Sequence, residues 1–171
     1  MSKGRIDRKA IFGGIFIIAL IAIAATIWLT DDGMRPAPAF AATTLDGEAV
    51  ALEDYEGRPV MISFWATNCP SCVREIPKLT HLHETYSDHG FELLAVALSY
   101  DPINRVEAMR EDREIPYKVI HDSDDTFSQA YGGVRLTPTT FLISPGGRIV
   151  YQKLGDPDFE QIERHLERWL S

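Results

Sequence analysis

Two cysteines, Cys69 and Cys72, stand three residues apart with Pro70 and Ser71 between them, and the chain has no others. A structural disulfide here would close a four-residue loop. That removes about 2 kcal/mol of unfolded-state entropy, against about 3 for a 15-residue loop, so the pair is poorly placed as a staple. Half a zinc site would need a second cysteine pair, which is lacking, and His81 and His83 are spaced (i, i+2), which puts them on different faces of a helix. Thiol–disulfide exchange suits the spacing. A thiol at a helix N-terminus meets unpaired backbone N–H groups and the positive end of the dipole, which favour the thiolate, the species that attacks a disulfide. Cys69 is therefore the expected exposed nucleophile, its pKa shifted down. Cys72, one turn inside, is the expected resolving thiol.

The surrounding text supplies that helix and a strand to aim it. Pro59–Trp65 (PVMISFW) is a short apolar run of the kind a central strand shows, and Pro70–Tyr86 reads as a helix with Val73, Ile76, Leu79 and Leu82 on one face. Pro70 fits the first turn, where its missing N–H has no partner to lose. Leu45–Val50 reads as a small hairpin around Asp46–Gly47, and Phe91–Leu98 as a second buried strand. Pro102–Arg113 is a helix carrying Ile103, Val106 and Met109 or Arg110 at helical spacing. Val119–Ile120 is a brief strand, and Asp124–Tyr131 a short helix with acidic residues in its first turn. Thr139–Ser144 and Arg148–Gln152 flank Pro145–Gly146–Gly147 as a hairpin. Asp156 then caps a last helix whose stripe is Phe159, Ile162, Leu166 and Trp169. This order predicts an α/β fold with a central mixed sheet flanked by helices.

Ahead of the domain, residues 11–29 carry no charge; at ~1.5 Å per residue they would span roughly 28 Å as a helix, near a bilayer's hydrocarbon thickness. Lys3, Arg5, Arg8 and Lys9 precede the run, and Asp31 and Asp32 follow it, which predicts a cytoplasmic N-terminus and an extracytoplasmic remainder. The apolar run continues through Trp28 and Leu29, which favours an uncleaved anchor over a signal peptide. The division is thus a basic N-terminus (1–10), a transmembrane anchor (11–29), a Pro-stiffened linker (30–39) and one domain (40–171). The first 29 residues carry a net +3, leaving −11 for the rest, an unsuitable charge for binding nucleic acid.

Phe64–Trp65–Ala66–Thr67–Asn68–Cys69–Pro70–Ser71–Cys72–Val73–Arg74–Glu75–Ile76–Pro77 resembles the active-site segment of the TlpA/ResA-like thiol–disulfide oxidoreductases, and Leu136–Ile143 (LTPTTFLI) resembles that family's cis-proline segment. The likeness covers about residues 38–170. It implies a thioredoxin-like fold, with Cys69 and Cys72 as the redox pair and no prosthetic group or metal. It further implies that Pro138 is a cis proline that helps dock a substrate backbone, with Thr137 before it tuning reactivity and Trp65 and Asn68 at the docking rim. Glu75 matches an acidic residue near the resolving thiol. Three residues after Cys72, it reaches that thiol across one helical turn, and partial burial would raise its pKa enough to exchange protons. The family further implies protein disulfides as substrates, apocytochrome c among them, and a transmembrane thiol-transfer protein as reductant. The chain departs from the family at Asn68, where Trp is commoner, at the Pro-Ser between the cysteines, and in the loop Gly132–Leu136. Ser63 stands on the strand where cytosolic thioredoxins bury an Asp.

Rival chemistries on the same fold fit less well. A thiol peroxidase needs a Thr three residues before its reactive Cys; here position 66 is Ala, and Thr67 is one residue too close. A copper-handling chaperone would use both thiolates and a histidine, with His121, expected on a loop at a strand end, as the candidate. A non-enzymatic tethered module with a vestigial disulfide has no use for Cys69, Cys72, Glu75 and Pro138 together.

Overall fold

The computed structural model of the chain describes residues 17–20 and 35–171. Residues 17–20 are helical and exposed. The remainder of the expected anchor lies outside the described residues, among which no helix is long and apolar enough to cross a membrane. Arg35–Ser171 forms one compact unit.

That unit is built on a five-stranded mixed sheet in the order β5-β4-β3-β6-β7. β3 (Val60–Trp65), β4 (Glu92–Leu98) and β5 (Lys118–Asp122) run parallel, while β6 (Thr139–Ile143) and β7 (Ile149–Leu154) are antiparallel neighbours on the other side of β3. A separate hairpin, β1 (Ala41–Thr43) and β2 (Ala49–Ala51), joins β5 through a bridge between Thr44 and Ile120. β3 is buried along its whole length because both of its faces are covered. Its side chains alternate accordingly. Met61 and Trp65 face a core with Ile76, Leu79 and Leu82 of α1 (Pro70–Tyr86), Val106 of α2 (Ile103–Asp112), and Ile162 and Leu166 of α4 (Phe159–Leu170). Phe64 faces an aromatic cluster with Phe127 and Tyr131, on and just after α3 (Thr126–Ala130), and with Phe141.

Several boundaries depart from the sequence expectation. Residues 35–39, read as the end of a linker, are tied to the domain: Ile149 N–H donates to Arg35 O (3.0 Å) and Ala37 N–H to Gly147 O (2.9 Å). The N-cap of α4 is Asp158, whose carboxylate accepts from Gln161 N–H at 3.0 Å; Asp156 is left for another contact. The acids expected in the first turn of α3 precede it instead. The buried Asp122 at the end of β5 reaches across to accept from Phe127 and Ser128 N–H (2.9 and 2.8 Å). Ile103 is exposed, so the buried stripe of α2 reduces to Val106 with Met109 partly covered.

Candidate active site

The parallel strands β3 and β4 end side by side, Trp65 opposite Ala97, and β6 begins beside them, Thr139 opposite Phe64. Their loops therefore meet at one edge of the sheet. The loop after β3 turns into α1 at Cys69, the N-cap, with Pro70 in the first turn. Cys69 Sγ accepts from Cys72 N–H at 3.2 Å, and Ser71 Oγ lies 3.4 Å from the same sulfur. Both contacts would stabilise a thiolate at Cys69 once the pair is reduced. In the structure the two cysteines form a disulfide. The accessibility expectation holds in order but not in degree: Cys69 is 8% exposed and Cys72 3%.

The loop carrying Cys69 is held from the neighbouring strand. Asp101, after β4 and 2% exposed, accepts from the Thr67 hydroxyl at 2.7 Å and from the Thr67 N–H. His121, expected on a loop, stands inside β5; its Nε2 donates to Asp101 O at 2.8 Å, so that nitrogen is committed to the protein. Asp101 gave no chemical signal in the sequence. Only the Asp-Pro pair after a strand marked it, as a turn.

Beneath the disulfide, Cys72 and Glu75 line a small cavity of about 10 Å³ with Ser63, Trp65, Ile76, Ala95 and Tyr117. Glu75 is 5% exposed. Burial, reinforced by the Asp156 carboxylate, raises its pKa to about 7, while Arg74 and Lys78 pull the other way. The Glu75 Oε1 has no hydrogen-bond partner. Burial likewise raises the Tyr117 phenol, with Glu75 adding to it. Ser63 occupies this cavity without a charge, which leaves Glu75 as its one carboxylate.

Trp65, expected at the docking rim, is 5% exposed and faces this cavity, its Nε1 without a partner. Its place on a strand covered on both faces is the reason. Asn68 is exposed as expected, beside a shallow groove with Arg105, Met109 and Asp112. The Thr137–Pro138 peptide is cis, Thr137 is half-buried, and Gly155 N–H donates to Pro138 O at 2.8 Å. Tyr117 and Asp156 are site residues that sequence reasoning missed; Asp156 was read as a helix cap. Among the described residues, no group of three or more His, Cys, Asp or Glu side chains is arranged to hold a metal ion. A cavity of about 820 Å³ lies at the opposite end of β3 beside Val60 and Ile143 and includes neither cysteine.

The class follows from where the pair sits: a thioredoxin-like sheet brings a dithiol at the mouth of α1 and a cis-proline loop to one edge, the layout of enzymes that exchange thiols with disulfides. A family model described as Redoxin matches residues 32–166. The thiol–disulfide oxidoreductase ResA of Geobacillus kaustophilus is 38% identical over 131 residues, 77% of this chain and 74% of that protein. ResA of Bacillus anthracis is 31% identical over 134 residues, 78% and 76% of the two chains. The crystal structure of a thioredoxin-family thiol:disulfide interchange protein from Chlorobium tepidum superposes with a TM-score of 0.72 at 25% identity, covering 81% of this chain and 97% of that one. The chain belongs to the Redoxin family and, within it, to the ResA/TlpA-like thiol–disulfide oxidoreductases of the thioredoxin superfamily.

Proposed function

We propose that this thiol–disulfide oxidoreductase is a dithiol reductase of protein disulfides, tethered by residues 11–29 with its domain on the extracytoplasmic side of the cytoplasmic membrane. The observation that carries the reading is the asymmetry of the pair. Cys69 caps α1 and accepts the Cys72 N–H, whereas Cys72 is buried against Glu75. In the reduced state the Cys69 thiolate attacks a substrate disulfide, forming a Cys69–substrate disulfide and releasing one substrate thiolate. Cys72 then passes its proton to Glu75, and its sulfur attacks Cys69 Sγ. That step re-forms the Cys69–Cys72 bond and expels the second substrate thiolate. Two electrons leave the pair and two enter the substrate; the released thiolates take up protons according to their own pKa.

Asn68 directly precedes Cys69, and the cis Thr137–Pro138 peptide leads into β6 beside the end of β3; these residues would dock the substrate backbone. A membrane-embedded thiol-transfer protein would re-reduce the pair, and the family resemblance puts apocytochrome c first among the substrates. The test is a trap. The full-length Cys72→Ala chain, expressed in cells, should accumulate Cys69-linked mixed disulfides, with substrate peptides carrying C-x-x-C-H if cytochrome c maturation is served. Recovery of the same adducts from Cys69→Ala would defeat the mechanism. A membrane-impermeant thiol reagent should reach Cys69 of the reduced chain in intact cells; labelling only after lysis would overturn the location.

A further inference from the structure

Two of the residues around the small cavity beneath the disulfide carry a buried polar atom without a hydrogen-bond partner: Trp65 its indole Nε1, and Glu75 its Oε1. Each residue is 5% exposed. The two atoms are complementary, since an indole N–H can only donate and a carboxylate oxygen accepts. They nevertheless do not bond to each other, and folded interiors rarely leave such groups unpaired. The cavity's volume of about 10 Å³ is the room one water needs, and a buried water needs about two to four polar partners. Cys72, Ser63 and Tyr117 on the same cavity wall complete that number. We propose that Trp65 is a positioning residue for the resolving step: with Glu75 it holds one water molecule against Cys72 and sets that water's orientation.

The orientation follows from what each group can do. The indole N–H takes one lone pair of the water and Glu75 Oε1 takes one of its hydrogens, which leaves the second lone pair for the Cys72 thiol. Cys72 gives its proton to the water as the water gives one to Oε1. The water is unchanged, Glu75 becomes neutral, and the Cys72 thiolate attacks Cys69 Sγ and expels the substrate thiolate. Ser63 and Tyr117 cannot impose that direction, because a hydroxyl both donates and accepts. Trp65 is also held still: it ends a strand paired with β4, opposite Ala97, and lies in the buried core with Met61 and Ile76. The inference deepens the exchange reading above and rests on it.

The experiment has a spectroscopic and a kinetic arm. By NMR of the isotope-labelled, oxidised full chain in detergent, the Trp65 indole N–H should show a through-space cross-peak to a long-lived bound water. Its resonance should also move as Glu75 titrates at about pH 7, and that movement should vanish in Glu75→Gln. A missing water cross-peak, or a resonance blind to Glu75, overturns the proposal. In the kinetic arm the reduced full chain is mixed with 5,5′-dithiobis(2-nitrobenzoate), and release of the second thionitrobenzoate, by Cys72, is timed across pH. Trp65→Phe keeps an aromatic ring and loses the N–H, while Asp156 on the β7–α4 loop, Arg74 and Lys78 on α1 and Tyr117 before β5 still face Glu75. Its first release should match the parent, and its second should be several-fold slower. The inflection should move up by about half a pH unit, because a donor that favours the Glu75 carboxylate is gone. An unchanged second release in folded Trp65→Phe overturns the role of Trp65 alone; if that variant does not fold, the NMR result decides. Failure of the unsubstituted protein to release the second group faster than Cys72→Ala overturns the exchange mechanism itself.

Discussion

Asp101 accepts two hydrogen bonds from a single residue, Thr67, whose N–H and hydroxyl both point at its buried carboxylate two positions before Cys69. The reactive loop is therefore anchored to the end of the neighbouring parallel strand, and only β3–β4 pairing brings the two together. Asp101→Ala should cost about 2 kcal/mol, one for each lost bond, and lower the unfolding midpoint by roughly 4–8 °C. Thionitrobenzoate release should slow as well, because Cys69 loses its fixed position. Thermal unfolding and exchange kinetics of the full chain in detergent check both.

Glu75 makes stability pH-dependent in a stated direction. Its pKa is raised from 4.5 to about 7 in the folded, oxidised protein, so the folded state binds more protons between those values. Stability from this group is fully present below about pH 4.5 and is lost as pH rises from there through about 7, above which it changes no further. The full shift corresponds to about 3 kcal/mol. Glu75→Gln should therefore be more stable than the parent above pH 7 by an amount of that order and lose the advantage near pH 4.5. Unfolding midpoints at the two pH values would show it, and a parallel offset at both would contradict it.

Asp122 supplies the N-terminal N–H partners that α3 cannot find within itself. Asp122→Ala should cost about 2–3 kcal/mol, since two buried N–H donors lose their acceptor. Below the lowered unfolding temperature, exchange rates should be unchanged, because the carboxylate touches α3 and not the active-site loop.

Leu136, two residues before the cis-proline, is 63% exposed, and Tyr100 and Ile103 are 54% and 47% exposed on the loop after β4 and the start of α2. Both loops leave the sheet at the edge where the disulfide sits. Leu136→Ser should leave the unfolding temperature and the reaction with a small disulfide unchanged while reducing the yield of protein adducts in the Cys72→Ala trap. Equal yields would remove Leu136 from the docking surface.

The helix, the strand before it and the hairpin near the C-terminus were legible because each is declared locally. α1 runs from Pro70 to Tyr86 as its apolar spacing requires, and β3 and β6 are short runs without a charged residue. The misplaced cap of α4 shows the limit: Asp156 and Asp158 both precede a helical stripe, and the choice between them turns on what else each carboxylate can reach. Trp65 shows the same limit in a strand, since period-two alternation does not say which face is covered until both layers are packed.

The sequence by itself determined the chemistry: two thiols a helical turn apart, the first at a helix mouth, with a carboxylate one turn beyond. Those relations are fixed by 3.6 residues per turn and need no distant partner. Only the tertiary structure decided how that chemistry is tuned. Asp101 reaches Thr67 from 34 positions away, and Asp156 reaches Glu75 from the far end of the chain. Contacts of that range depend on which strand ends the sheet order places together, and no local periodicity encodes it.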